Sequence, residues 1–182
     1  MKTPRAGGLG GARVRDFGIR NPSRIFMQFE HVVVVNDPRE ALVAPLSRAQ
    51  VWAGLMWRVE DPCVFQPSLV GCEIITRSNT RVERALDFGS FRMRDTVHLL
   101  DQQALRFESE ADGARAAAQL TISIEIPIEG ALVLRFAYAT TFDESAGAAD
   151  AEYAGYIKSA YRAADIDTVR LIREHAMRGN AH

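Results

Sequence analysis

Only two cysteines occur in 182 residues, and Cys63 and Cys72 have the spacing of neither a CxxC redox pair nor a zinc ligand set. Disulfides and structural zinc are therefore not what stabilises the fold, and a chain of this length can bury the core of one domain without them. No apolar run approaches the roughly 20 residues of a membrane-spanning helix, and Val32 to Val35 reads as the core of a strand. His31, His98 and His175 lack HExxH-type spacing, and no GxSxG elbow presents a serine nucleophile. Neither a metal nor a cofactor is expected, and the chain reads as cytoplasmic.

Charge is unevenly placed. Residues 1–26 carry six basic residues (Lys2, Arg5, Arg13, Arg15, Arg20, Arg24) against Asp16, which leaves sixteen basic and twenty-two acidic residues in the remainder. A body with that balance lacks the clustered cations that displace counterions from phosphates, so nucleic acid is not an expected partner. Gly7-Gly8-Leu9-Gly10-Gly11 follows no strand and lacks the third glycine of a dinucleotide fingerprint. The leader is Arg-rich and acid-poor like an organelle transit peptide, yet it is poor in serine and shows no amphipathic period. It is read as a disordered or non-native leader, with the domain spanning 27–182.

From Met27 to about Val35 the pattern is a strand, which Asn36-Asp37-Pro38 ends. Ser47 and Gln50 have capping-box spacing ahead of Val51, Trp52, Leu55 and Met56, a short amphipathic helix. Asp61-Pro62 starts another helical turn that Pro67 stops. Six strand-like runs follow, at about 69–76, 81–88, 91–99, 104–110, 117–126 and 131–142. A two-residue Gly89-Ser90 loop sets Phe88 opposite Phe91, Leu86 opposite Met93, Arg84 opposite Asp95 and Val82 opposite Val97 on one dry face. An Asp101-Gln102-Gln103 loop brings Leu99 to Leu105 and Val97 to Phe107. An Ile128-Glu129-Gly130 loop sets Ile126, Ile124, Ile122 and Leu120 against Leu132, Leu134, Phe136 and Tyr138.

The last stretch, Tyr153 to Met177, is a long helix. Tyr153, Ile157, Ala160, Tyr161, Ala164, Thr168, Leu171 and His175 recur on one face at three- and four-residue intervals. At 1.5 Å per residue it would run about 40 Å, enough to cross a sheet. Asp165, Asp167 and Arg170 are read as capping or pairing groups on its surface.

Strand, short helix pair, six-strand meander and long C-terminal helix is an order that resembles the Bet v 1 or START-like helix-grip superfamily (SRPBCC). Within it, the wording resembles the AtaL-like subfamily of unknown function over about 27–178. The matching segments are Phe29-Glu30-His31, Asn36-Asp37-Pro38, Trp52 to Leu55, Asp61-Pro62 with Phe65 and Pro67, Arg84 with Leu86-Asp87-Phe88-Gly89, Arg94-Asp95, and Tyr161-Arg162 through Ala164 to Val169. The resemblance implies an α+β fold in which a curved antiparallel seven-stranded sheet wraps around the C-terminal helix, with a cavity between them. It transfers no catalytic residues.

The alternation says which side chains would face such a cavity. Phe88, Phe91, Met93, Val97, Phe107, Leu134, Phe136 and Tyr138 would form its wall, and Tyr153, Ile157, Tyr161, Ala164 and Thr168 its lid. The same residues would also serve in a solid core. Arg84 and Asp95 on a dry face must pair with each other or serve a ligand, because isolated charges there cost desolvation energy. His31 is a candidate general base if it points inward, but Val32 and Val34 compete for that face. Three functions fit the pattern. The first is binding of a small hydrophobic or amphipathic molecule. The second is a polyketide cyclase or lyase-like enzyme using the same cavity. The third is an interaction module using the outer sheet face, and a homodimer is compatible with any of them.

The leader lacks the apolar periodicity that offsets ordering entropy. Chains beginning at Met1 and at Met27 are therefore expected to melt within a few degrees of each other, and a large loss on truncation would show that the leader docks.

Overall fold

The computed structural model describes residues 27–110, 117–141 and 148–179, so the expectation for residues 1–26 lies outside the described residues. One antiparallel sheet contains β1 (Met27–Asn36), β2 (Gly71–Arg77), β3 (Arg81–Asp87), β4 (Arg92–Leu100), β5 (Ala104–Ser109), β6 (Ala118–Glu125) and β7 (Leu132–Thr140). Helix α1 (Arg48–Glu60) and a 3-10 turn (Pro62–Val64) lie between β1 and β2, and helix α2 (Ala148–Gly179) follows β7. The seven strands run in the order β1-β7-β6-β5-β4-β3-β2. This is the helix-grip layout expected from the sequence. The order puts the first two strands on opposite edges, so the α1 segment has to carry the chain across the sheet.

The hairpin registers follow the turn chemistry. Gly89 has φ +78, and Phe88 N–H donates to Phe91 C=O at 2.9 Å, which closes the two-residue Gly89-Ser90 loop. Arg84 therefore lies opposite Asp95, Val97 opposite Phe107 and Leu120 opposite Tyr138. The expected partnership of Ile126 with Leu132 does not form. β6 ends at Glu125, Ile126 is exposed, and Leu132 is instead buried opposite Asn36 of β1. On β1 the competition for the core goes to His31, whose side chain is buried, while Val32 and Val34 face outward. A register shift between Val34 and Asn36 then lets both Val35 and Asn36 be buried.

Helix α1 starts with the expected reciprocal capping box: Gln50 N–H donates to Ser47 Oγ at 3.2 Å, and Ser47 N–H donates to Gln50 Oε1 at 2.8 Å. Its Val51, Leu55 and Val59 side chains are wholly buried against a core that includes Leu105, Ile122 and Phe136. Each such side chain contributes about 1.5–3 kcal/mol on removal from water. Arg48 ties the first turn to the sheet by donating to the carbonyls of Gln102, in the β4–β5 loop, and Ile124 of β6. Gly54 marks the crossing of α1 and α2, where a Cβ would lie 2.7 Å from Ile172 Cγ1 and Cγ2, so only glycine permits this approach.

The inward face of α2 is turned from the one that the spacing suggests. Tyr153 and Ala160 are exposed, whereas Asp165, Thr168, Val169 and Ile172 are buried. Asp165 is thus no surface group. Its burial is tolerated because β1 and β7, remote in sequence, supply its hydrogen-bond partners. Asp167 and Arg170 do pair on the surface, the arginine also reaching Glu174.

Arg84 and Asp95 form the buried ion pair anticipated from the register. Arg84 is 3% exposed and Asp95 8%. Nε donates to Oδ1 at 2.9 Å and Nη2 pairs with Oδ2, while Nη1 donates to the carbonyl of Val59 at 2.9 Å. The pair thereby fastens the C-terminal end of α1 to β3 and β4. Arg84→Met or Asp95→Leu alone should strand a buried charge and cost roughly 3–5 kcal/mol, measured by chemical denaturation. The double variant should recover much of that loss, though not the link to Val59. Single variants as stable as the parent would show that the charges reach water.

Candidate functional site

α2 packs mainly on α1 and β1, and so leaves part of the sheet uncovered. Between that part and the two helices lies a cleft of about 310 Å³. Its apolar lining comes from Pro62 and Phe65 after α1, Leu86 and Phe88 of the β3 hairpin arm, and Met93, Phe107 and Leu120 across the sheet. Arg58, Gln66, Arg84, Asp95, Glu108, Ser109, Gln119, Tyr138 and Tyr161 add polar groups, and Ala118 and Ala164 complete the lining. Two larger hollows, about 530 and 940 Å³, lie along strand surfaces lined mainly by charged and small residues. The aromatic side chains converge on the inner cleft, which is the better candidate.

Among the residues expected at the site, Arg84, Phe88, Met93, Asp95, Phe107, Tyr138, Tyr161 and Ala164 line the cleft together. Val97 and Phe136 are wholly buried in the core, as is Leu134. Phe91 stacks on Phe88 with ring centroids 4.5 Å apart, just beyond the lining. Ile157 is half-buried along α2, and Thr168 sits behind the cleft, where it holds Arg58.

Arg58 escaped the sequence reading, as did the buried role of Asp165. Both had a signal. Arg58 continues the buried stripe of Val51, Leu55 and Val59 by helical spacing, and Asp165 falls between Tyr161 and Val169 on the inward stripe of α2. Asp165 reads as a surface group from spacing alone because its partners come from other elements.

The polar end of the cleft is a connected network. Asp165 Oδ2 lies 2.7 Å from His31 Nε2, and Tyr138 Oη donates to the same carboxylate at 2.8 and 2.9 Å. His31 is stacked between Phe29 and Phe136, each with centroids 5.4 Å away. The Tyr161 ring lies parallel to Tyr138 at 4.2 Å. Burial, aided by the Asp165 charge, pushes the Tyr138 phenol far above its ordinary value, so it is a neutral hydrogen-bond donor. Burial also raises Tyr161. Asp165 is raised chiefly by burial, against the opposing pull of His31, Tyr138 and Arg58. The network thus connects an imidazole outside the cleft to a phenol within it, through a buried carboxylate.

Arg58 stands beside this network. Its Nη1 donates to Thr168 Oγ1 at 2.7 Å and lies 4.0 Å from Asp165 Oδ1. Burial lowers its pKa, yet a guanidinium in a protein stays protonated. No group of three or more His, Cys, Asp or Glu residues suited to a metal occurs among the described residues. Cys63 and Cys72 are both free thiols.

Residues 30–179 match the family model described as AtaL, acetylaranotin biosynthesis cluster protein L. In structure the chain is similar to the Zhui aromatase/cyclase from Streptomyces sp. R1128, with TM-score 0.58 and 13% identity over 84% of this chain and 94% of that one. It is also similar to norcoclaurine synthase from Thalictrum flavum, with TM-score 0.52 and 15% identity over 96% of this chain and 98% of that one. A START superfamily protein from Mycobacterium smegmatis gives TM-score 0.53 and 12% identity over 79% of this chain and 97% of that one. At these identities the likeness establishes the fold. No curated protein matches the chain in sequence.

A raised Asp165 carboxyl means that the folded state holds this proton more tightly than the unfolded chain does. The group's stabilising share is then complete below the ordinary carboxyl value and is lost as pH rises through the folded value. Asp165→Asn keeps a side chain that can accept from Tyr138 but removes the titration. The melting temperature of the Asn variant should therefore gain on that of the parent as pH rises from about 4 to about 7. A difference independent of pH would show that burial does not raise this carboxyl.

Proposed function

The chain belongs to the AtaL family, and from that premise we propose that it binds a small hydrophobic or amphipathic molecule in the cleft between the sheet and α2. The observation that carries this reading is the convergence of Phe65, Phe88, Phe107, Met93 and Leu120 on one hollow that Arg58, Tyr138 and further polar groups also line. Apolar walls with a few placed polar groups suit an amphipathic ligand, and about 310 Å³ is near the lower limit for such sites. The similar norcoclaurine synthase was solved with dopamine and hydroxybenzaldehyde, which are small aromatic molecules. No described helix is long and apolar enough to cross a membrane. A cytoplasmic protein that handles a small molecule and no nucleic acid accords with the negative balance of residues 27–182.

A second reading, a cyclase or lyase acting in the same cleft, is favoured by the Tyr138, Asp165 and His31 chain. A neutral phenol backed by a carboxylate and an imidazole can lend and recover a proton at a substrate carbonyl. The similar Zhui protein is an aromatase/cyclase. The readings part at Tyr138→Phe, which a carrier tolerates with its affinity nearly intact and an enzyme does not tolerate in turnover.

N-phenyl-1-naphthylamine, an uncharged fluorophore, should brighten on binding the parent protein. Ala164→Phe should abolish that signal with little loss of stability, because Ala164 borders open space in the cleft. A parent protein that leaves the fluorophore dark would overturn the binding reading.

A further inference from the structure

We infer that the cleft takes a planar, apolar molecule bearing a carboxylate, and that Arg58, not Arg84, receives that group. The inference rests on the binding reading above and specifies its ligand class. Two arginines line the cleft, and they differ in what their donors do. Arg84 has Nε and Nη2 on Asp95 and Nη1 on the Val59 carbonyl, so it has little left to offer. A guanidinium has five N–H donors. Among the described residues the Arg58 side chain makes one hydrogen bond, from Nη1 to Thr168 Oγ1, and it is 17% exposed.

That guanidinium is also held in place. Its central carbon lies 6.0 Å from the Phe65 ring centroid and 5.9 Å from that of Phe107, which limits its orientation. Thr168 donates its own hydroxyl hydrogen to the Ala164 carbonyl at 3.0 Å and so presents a lone pair to Nη1. The nearby carboxylates are committed elsewhere. Both Asp95 oxygens hold Arg84, and the Asp165 oxygens are engaged by Tyr138 and His31, with Arg58 at 4.0 Å, beyond hydrogen-bond range. A largely buried cation with open donors is costly to desolvate, and a ligand carboxylate would supply the missing partner. A planar carboxylate matches the fork of a guanidinium with two parallel hydrogen bonds, which an amide oxygen cannot do. Beside that fork the Phe65 and Phe107 rings, with Leu120 further along the wall, offer flat apolar surface for the body of the acid.

The test compares 2-naphthoate with its neutral isostere 2-naphthamide by isothermal titration calorimetry at neutral pH and low salt. The parent should bind the acid at least about tenfold more tightly than the amide, the range expected for hydrogen bonds to a charged group. Arg58→Met should weaken naphthoate by about tenfold to a hundredfold while changing naphthamide by less than about threefold. Arg58→Lys should restore part of the loss, because it returns the charge without the fork. If Arg58→Met does not fold, Thr168→Val decides, since losing the acceptor that orients Nη1 should narrow the preference for the acid. A parent that binds the amide as tightly as the acid overturns the inference, as does a variant that loses both probes equally. Binding of N-phenyl-1-naphthylamine without either naphthyl probe overturns this inference alone, whereas failure of all three probes overturns the binding reading as well.

Discussion

A guanidinium and a carboxylate that share the dry face of the sheet are expensive to desolvate, and their mutual pairing is what makes their burial tolerable. Arg84 and Asp95 meet that requirement and extend it, because the third arm of the guanidinium holds the last turn of α1 through Val59. With Arg48 fixing the first turn to the carbonyls of Gln102 and Ile124, α1 is pinned at both ends across the sheet. The position of α2 follows from α1. Gly54 lets Ile172 approach as closely as the two backbones allow, and this seats α2 on α1 and β1 while the sheet beyond stays open. The cleft is thus a consequence of where α1 is tied.

The two arginines at the cleft show how like residues acquire unlike roles. Arg84 is paired with a carboxylate three times over by geometry: opposite register, two parallel contacts and shared burial. Arg58 is fixed by a neutral hydroxyl and two aromatic faces, an arrangement that orients a charge without cancelling it. Nearby, the same scarcity of water keeps Tyr138 protonated and raises the Asp165 carboxyl. The cleft is therefore bordered by one largely buried cation and by a neutral phenol that donates to a shielded carboxylate.

Much of the sheet was legible from residue order alone, because strand alternation has a period of two and short loops permit few registers. Gly89 and Gly130, both at φ +78, mark turns that no other residue adopts as easily, and the loop at Gly89 sets Arg84 opposite Asp95. The helix face was harder. A stripe of alanines and tyrosines on α2 outweighed one aspartate, and Asp165 was assigned to water. Its partners, His31 and Tyr138, lie 134 and 27 residues away in sequence, so local spacing held no sign that a carboxylate there would be satisfied.

The sequence by itself determined the registers of the β3–β4 and β4–β5 hairpins and most of β6–β7, the capped start of α1, the presence of a long final helix and the dry face on which Arg84 and Asp95 had to meet. These depend on interactions within a hairpin or a single helix, whose range is short and whose periods are set by backbone geometry. Only the tertiary structure decided that β1 joins β7 at the far edge, that His31 and Asp165 face each other, and that Arg58 and not Arg84 keeps its donors open to the cleft. Those outcomes turn on which distant group neutralises which buried charge, and that competition is resolved only when all the elements are packed together.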